Sequence, residues 1–396
     1  MSLERVLGIA VVGAGNRGMA HLDTISRLPD LYRLVAVCDA REERRQVVAA
    51  QFGVPVFDHP LTMLERVQPD VVFVIVPPDA HHIITRAAAA HRCHVISETP
   101  IATTLSMADD MIAAAQRYGV KLEVAENVWR WPAERLKRRL VDEGVIGRVT
   151  QAHLWYRSGS YHGMNAIRRF ITSEPWRVMG FVQRVDVEPY VDLVGERQTT
   201  LPWELGVIEF AGGERCVYQL PAGIDRGNYW EIAGTRGALM GNELVLFEGE
   251  QRRPRRLPIE TITAEVHGRP TIHAVRVNTD PPVVWENPYR DYALPPHADD
   301  VARADILVTF HRAVVDDVPP AYGAPNARRD QELVIAVRES ARLGSVWLEL
   351  PLREPTGLEQ QQLAEFRQTY GADPFADIER LLGRLFPRRG VRWTVV

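Results

Sequence analysis

Short apolar runs alternate with amphipathic stretches over roughly the first 125 residues of the chain. The apolar runs are rich in β-branched residues, as strands are, and the intervening stretches have helical spacing. The predicted strands are Leu7–Val12, Leu34–Cys38, Val71–Val76, His94–Ser97 and Lys121–Val124, and the predicted helices include Arg41–Phe52, Ala80–His91 and Thr103–Tyr118. Strands that alternate with helices predict βαβ units and a parallel sheet.

The pattern changes after Trp131-Pro132, where extended runs follow one another with glycine-containing turns between them. This arrangement predicts antiparallel strands. Their predicted ranges are Trp176–Val185, Trp203–Phe210, Arg215–Leu220, Trp230–Ala233 and Leu244–Phe247. Residues 251–296, rich in Arg and Pro, are predicted to form an irregular excursion.

Composition narrows the class of protein. The 396 residues are 46% hydrophobic and 25% charged, as in soluble globular proteins of two or more domains. The formal net charge is −4, so the protein has no net positive charge to attract nucleic acid or an anionic membrane, and neither is predicted as a partner. The three cysteines have no CxxC spacing, so we predict neither a disulfide framework nor a metal site. Their small number also predicts a cytoplasmic location. No apolar run is long enough to predict a membrane span.

The first predicted strand leads into Gly13-Ala14-Gly15-Asn16-Arg17-Gly18, a G-x-G-x-x-G string followed by a predicted helix. The acidic residue Asp39 follows the second strand at the spacing of a dinucleotide-binding motif. Gly13 permits the tight turn, Gly15 lets the backbone approach a pyrophosphate, and Gly18 allows close packing of helix on sheet. The Asp39 carboxylate would accept hydrogen bonds from the ribose hydroxyls and repel a 2′-phosphate, so NAD is predicted over NADP.

Four further motifs resemble the Gfo/Idh/MocA oxidoreductase family. They are Pro77-Pro78-Asp79-Ala80-His81-His82, Ser97-Glu98-Thr99-Pro100, Asp142-Glu143-Gly144-Val145-Ile146-Gly147 and Glu339-Ser340-Ala341-Arg342-Leu343-Gly344. The resemblance implies an α/β protein with an N-terminal Rossmann doubly wound parallel sheet and a C-terminal α/β domain with a large, mostly antiparallel open sheet. The implied domains are residues 1–126 for the dinucleotide and residues 127–352 for substrate and oligomerisation. Residues 353–396, beyond the resemblance, are predicted to form an extension packed on the body or a neighbouring subunit.

The resemblance also implies hydride transfer between a nicotinamide cofactor and a sugar, inositol or related polyol in a homodimer or homotetramer. It places the reactive ring near Glu98, with Pro78 and His82 at the cofactor loop. Glu126-Asn127 would lie at the carboxyl ends of the strands, where ligands bind, although ordinary loop polarity explains these two residues as well.

The sequence departs from the family at the residue credited with catalysis, because the family's Glu-Lys-Pro reads Glu98-Thr99-Pro100. A threonine hydroxyl forms hydrogen bonds but supplies no positive charge. The family's Asp-x-x-x-His is best matched by Ser158 to His162, so the histidine is kept and the aspartate is not.

His162 is the acid–base candidate because histidine titrates near neutrality, and a helix cap is the structural alternative. Tyr161 and Tyr156 are candidate hydroxyl groups, and Arg157 or Arg168 are candidate cations. Packing and solvent exposure are the plainer interpretations of these four residues.

Three functions therefore stay open at this stage: an NAD-dependent sugar or polyol dehydrogenase, an enzyme that uses NAD transiently for oxidation and elimination on a glycoside, and an inactive NAD-binding subunit.

Overall fold

A computed structural model describes residues 5–156, 160–191, 195, 197–222 and 228–387. Contacts between Cα atoms divide them into two compact units. The first contains residues 5–127, Ala302–Gln331 and 359–387, and the second contains the described residues of 128–301 and Glu332–Leu358. Residues 157–159 lie outside the described residues, and they include the candidate cation Arg157 and Ser158 of the predicted motif.

The first unit is built on a six-stranded parallel sheet with the order β3-β2-β1-β4-β5-β6. Its strands are β1 (Leu7–Val12), β2 (Tyr32–Cys38), β3 (Val56–Phe57), β4 (Val71–Val74), β5 (His94–Ser97) and β6 (Leu122–Val124). The connecting helices are α1 (Asn16–Ser26), α2 (Glu42–Phe52), α3 (Pro60–Val67), α4 (Pro78–Ala90) and α5 (Leu105–Tyr118). This order is that of a Rossmann fold, and strands β1, β4 and β6 are buried throughout, as in a sheet covered on both faces.

The second unit begins with α6 (Pro132–Asp142), β7 (Val149–Trp155) and α7 (Ser160–Phe170). The following strands are β8 (Pro175–Val191), β9 (Arg197–Phe210), β10 (Arg215–Leu220), β11 (Tyr229–Gly234), β12 (Gly237–Met240), β13 (Glu243–Glu248), β14 (Arg253–Val266), β15 (Arg269–Val277), β16 (Val283–Glu286) and β17 (Leu348–Glu349). They form one 11-stranded sheet with the order β16-β15-β14-β13-β12-β11-β7-β10-β9-β8-β17. Every pairing given for this sheet is antiparallel except β7 with β10. The predicted fold class is confirmed.

Four helices complete the described chain: α8 (Ala298–Val315), α9 (Gly323–Arg342), α10 (Gly357–Tyr370) and α11 (Ile378–Leu382). In the first unit, α8 packs on the sheet, where the Tyr32 hydroxyl donates to the Leu307 carbonyl at 2.8 Å. None of the helices in the described ranges has the length and apolar character needed to cross a bilayer.

The prediction of an irregular excursion over residues 251–296 was wrong, because most of this stretch forms β14, β15 and β16. β14 pairs with β13 through residues 253–258 and with β15 through residues 259–266. Each half therefore has one hydrogen-bonded neighbour, and Pro254 and Pro258 fall in the half that pairs only with β13. Strands paired on one side tolerate proline, which has no N–H for a second neighbour.

Two glycines allow α9 to approach the second sheet closely. Gly180 of β8 is paired with Gly206 of β9, and Val337 of α9 lies over both. A Cβ on Gly180 would lie 1.8 Å from the Val337 carbonyl oxygen, and a Cβ on Gly206 would lie 2.9 Å from its Cγ2. The Gly180 N–H also donates to Ser340 Oγ at 2.9 Å.

We predict that Gly180→Ala lowers the free energy of unfolding by about 1–3 kcal/mol, because the added methyl group must displace backbone of α9. Urea denaturation of the variant measures this loss. Gln183→Ala, at an exposed position of the same strand, is the control and should change stability by less than about 0.5 kcal/mol. Equal stability of the two variants would contradict the packing argument.

Candidate functional site: a dinucleotide cradle in the first unit

The turn between β1 and α1 has no room for side chains at two of its glycines. Gly13 has φ +104°, and a Cβ there would lie 1.9 Å from the Ile75 carbonyl oxygen. A Cβ on Gly18 would lie 2.1 Å from the Gly13 carbonyl oxygen. α1 begins at Asn16, and its N-cap residue Gly15 provides no side chain to cap the first N–H groups. The turn therefore presents backbone N–H groups at a helix start, which is the chemistry that binds a pyrophosphate.

Asp39, at the end of β2, is hydrogen-bonded to this turn. Its Oδ2 accepts from the Ala14 N–H at 2.7 Å, and its Oδ1 accepts from the Arg41 N–H at 2.9 Å. Arg44 Nη1 is 3.4 Å from Oδ2 and would lie 3.5 Å from a Cβ on Gly15. The carboxylate is only 7% exposed, so it is fixed between the turn and the start of α2.

Glu98, which follows β5, forms a buried ionic group with two residues of α1. Its Oε1 accepts from Arg17 Nε at 2.7 Å and lies 2.9 Å from His21 Nε2. Burial by itself would raise the pKa of Glu98, but Arg17 and His21 hold it well below its usual range. Burial lowers the pKa of His21 to about 4, with Glu98 opposing part of that shift. At neutral pH Glu98 is therefore an anion and His21 is neutral, with its Nε2–H donating to the carboxylate.

Thr99 lies where the resemblance implies a lysine. Its N–H donates to Glu98 Oε2 at 3.0 Å, and its hydroxyl oxygen lies 3.5 Å from the same atom. The peptide bond from Thr99 to Pro100 is cis. Thr99 thus contributes hydrogen-bonding groups and no charge at this edge of the sheet.

Two adjacent histidines of α4 have different surroundings. The His81 ring lies between two loops, with Nδ1 2.8 Å from the Pro100 carbonyl oxygen and Nε2 2.8 Å from the Val76 carbonyl oxygen. His82 points to α5, where its Nε2 is 2.6 Å from Asp110 Oδ2. Both rings are fully buried. His81 rather than His82 therefore connects the loop after β4 to the loop after β5, and Pro78 is the first residue of the same helix.

Asn127 lies three residues beyond the end of β6, and Glu126 beside it is fully buried. In the first unit, the predicted turn begins directly after β1. Asp39, Glu98, Thr99 and Asn127 lie within three residues after the ends of the strands β2, β5 and β6. Among the residues that the structure describes, no group of three or more His, Cys, Asp or Glu side chains is placed to hold a metal ion.

The other predicted catalytic residues form a group within the second unit. His162 lies in the first turn of α7, with its ring centroid 6.0 Å from that of Tyr161 and 6.3 Å from that of Tyr156. Tyr156 is fully buried and stacks on Trp230 at 5.7 Å. The candidate Arg168 lies near the end of the same helix.

The start of α7 is held by residues that the sequence did not indicate. Arg338 of α9 donates from Nη2 to Ser160 Oγ at 2.8 Å and from Nε to Glu204 Oε2 at 2.9 Å. Glu204 is almost fully buried, so this ion pair is shielded from solvent. Arg338 is 178 residues away from Ser160 in sequence, so no local pattern signals the contact.

His21 was also missed. Its only sequence signal is the spacing of four residues from Arg17, which places both side chains on one face of α1.

Comparison with known proteins matches residues 7–126 to the NAD-binding Rossmann fold of an oxidoreductase family. Over these residues the chain is similar to the Gfo/Idh/MocA oxidoreductases. The match covers β1 to the residues after β6, which are the ones that form the cradle.

Two curated relatives illustrate the similarity. The chain is 35% identical over 146 residues to D-glucoside 3-dehydrogenase of Escherichia coli, which covers 36% of this chain and 41% of that protein. It is 30% identical over 149 residues to 2,7-anhydro-N-acetylneuraminate hydratase of Mediterraneibacter gnavus, which covers 38% of this chain and 39% of that protein. The chain thus spans about two fifths of the length of these relatives.

A solved structure extends the likeness of fold over both units. A levoglucosan dehydrogenase in complex with NADH and levoglucosan superposes with a TM-score of 0.69 at 18% identity, covering 88% of this chain and all of that one. The two chains share a fold.

The buried His21 predicts a pH dependence of stability. Since its pKa falls from 6.5 to about 4 on folding, the unfolded chain binds more protons between these pH values, and stability decreases as pH falls through this window. His21→Gln keeps an N–H donor for Glu98 but does not titrate. We predict that the wild type loses about 1 kcal/mol more than this variant between pH 7.5 and pH 5.5.

Urea denaturation at the two pH values measures the difference. His153→Gln, which removes an exposed histidine of β7, is the control and should lose as much stability as the wild type. If the His21→Gln variant showed the full wild-type loss, the neutral state of His21 in the fold would be refuted.

Proposed function

We propose that this protein is an NAD(H)-dependent oxidoreductase that acts on a sugar, inositol or related polyol. The single observation that carries the proposal is the hydrogen bond from the Ala14 N–H to Asp39, which fixes the glycine-rich turn beside a buried carboxylate. The match of residues 7–126 to the Gfo/Idh/MocA oxidoreductases and the sugar-linked names of the relatives support the same interpretation.

The residues of the cradle fit a nicotinamide dinucleotide, since a Cβ at Gly13 or Gly18 would fill the turn that must approach a pyrophosphate. Gly13, Gly15, Asn16, Arg17 and Gly18 would hold the pyrophosphate. Asp39 would bind the adenosine ribose, and its negative charge favours NAD over NADP. When bound, the cofactor accepts or donates hydride.

The remaining cofactor contacts in this proposal come from the later loops of the first unit. Pro78, His82, Glu98 and Asn127 were predicted to contact the cofactor. For His82 the contact would be indirect, through α4, because Asp110 already bonds its Nε2.

We assign acid–base catalysis to His162. An imidazole takes the proton of a substrate hydroxyl as its carbon loses hydride, and it returns the proton in the reverse direction. Tyr161, which is next to it on α7, and Thr99 would hydrogen-bond the substrate or the ring. The substrate is a carbohydrate-like small molecule, and we propose that the protein acts as a homodimer or homotetramer.

A second function is favoured by Thr99 in place of lysine. In this alternative the enzyme oxidises a ring carbon, performs acid–base elimination next to the resulting ketone, and then returns the hydride. The relative in Mediterraneibacter gnavus is a hydratase of an anhydro sugar, a reaction without net redox change, which supports this alternative.

Incubation of the protein with NAD and a panel of sugars, inositols and glycosides separates these functions. We expect net NADH, measured by its absorbance, for a dehydrogenase. Product without net NADH would indicate transient use of NAD. Cofactor binding without any turnover would indicate an inactive family member and would refute both enzymatic proposals.

With the substrate found in this way, we predict that His162→Ala lowers kcat by about 10²–10⁴-fold, because proton transfer loses its acid–base group. NAD affinity should be unchanged. His153→Ala, at an exposed position in the same unit, is the control and should keep wild-type kcat. Wild-type turnover by the His162→Ala variant would remove His162 from the mechanism.

A further inference from the structure

The C-terminal segment of the first unit, residues 359–387, packs against helices of the Rossmann fold. We call this segment the C-terminal arm. Glu359 lies in the first turn of α10 and is 1% exposed. Its Oε1 accepts from the N–H of Leu105, the first residue of α5, at 2.7 Å. The arm thus satisfies a backbone donor that the start of α5 would otherwise leave without a helical partner.

Three residues of α4 contact the arm. The Tyr370 hydroxyl donates to Asp79 Oδ2 at 2.6 Å, and Arg86 Nη1 donates to the Phe375 carbonyl oxygen at 2.9 Å. The Phe375 ring also meets the His82 ring edge-on, with centroids 5.4 Å apart. Positions 79, 82 and 86 are three and four residues apart, so they form one face of the helix.

Tyr370 itself is firmly held. It is 5% exposed, and its ring packs between Phe366, at a centroid distance of 4.6 Å, and Phe386, at 4.8 Å. Its hydroxyl therefore reaches Asp79 from a fixed position. The acceptor is a carboxylate, and hydrogen bonds to charged groups are stronger than those between neutral groups.

The turn of α4 that contains Asp79 also contains His81, whose two ring nitrogens each lie 2.8 Å from a carbonyl oxygen, that of Pro100 and that of Val76. One helical turn therefore links the arm on one face to the loops after β4 and β5 on another. Those are the loops that the proposed function places at the nicotinamide side of the cofactor. A shift of the first turn of α4 would move both loops together.

We propose that the C-terminal arm positions the nicotinamide side of the cofactor site by holding the first turn of α4, with Tyr370 as the positioning residue. This inference rests on the proposed function. Tyr370 acts through Asp79 and His81 and does not itself contact the cofactor. The arm therefore raises affinity for the nicotinamide half of the dinucleotide and leaves the adenosine half, bound by the Gly13 turn and Asp39, unaffected.

The test compares two ligands on full-length protein by calorimetry: NAD and ADP-ribose, which lacks the nicotinamide ring. For Tyr370→Phe, which removes one oxygen atom, we expect the Kd for NAD to rise roughly fivefold or more, at the low end of coupling between linked sites. The Kd for ADP-ribose should stay at its wild-type value. Asp79→Ala should have the same effect as Tyr370→Phe, and the double variant should add nothing further.

Arg367→Ala is the matched control, because Arg367 pairs with Asp373 inside the arm at 2.8 Å. Both ligands should bind this variant as they bind the wild type. Unchanged NAD affinity in Tyr370→Phe would overturn the inference, and so would equal weakening of both ligands, which indicates a general loss of structure. If the wild type bound neither ADP-ribose nor NAD, the proposed function itself would be refuted. This measurement on the wild type precedes the variants, so the two failures are distinguishable.

Discussion

The hydrogen bond between the Ala14 N–H and Asp39 joins the two elements on which the candidate site depends. To bind a pyrophosphate, the glycine-rich turn must present backbone N–H groups to the ligand. The positive φ of Gly13 and the close contact at Gly18 restrict the turn to a backbone path that only glycine allows at these two positions. Asp39 then fixes that turn relative to the end of β2. Because the carboxylate is buried, it is costly to leave without partners, so turn and strand hold each other in place.

The same physical logic governs the next loop of the sheet. Glu98 is buried and ionised because Arg17 and His21 of α1 surround it, so the helix that begins at the glycine-rich turn also fixes the loop that carries Thr99. Thr99, where the resemblance implies a lysine, is a neutral residue beside this charged group. Under the proposed function, acid–base chemistry comes from another residue, and His162 is the one that we propose.

Local sequence patterns were sufficient for five of the six strands of the first unit, and the two-residue strand β3 (Val56–Phe57) was missed. Gly18 packs against the backbone of Gly13, five residues before it, whereas Gly13 packs against the distant Ile75 carbonyl. The strand ends set the place of Asp39, Glu98 and Asn127 in the sequence. Strand β14 was missed because its sequence has little apolar alternation and two prolines, and its pairing partners are set by the sheet as a whole. Arg338 at Ser160 and Tyr370 at Asp79 join residues 178 and 291 positions apart, which no local pattern encodes.

The central claim is that the turn at Gly13 and the carboxylate at Asp39 bind a nicotinamide dinucleotide. Isothermal titration of the folded, full-length protein with NAD tests it most directly, with Asp39→Ala as the comparison. The account predicts saturable binding by the wild type and an affinity about 10-fold or more lower for the variant, since hydrogen bonds to a charged group are lost. Absence of heat from NAD and NADP alike would contradict it, as would equal affinity of the wild type and the variant.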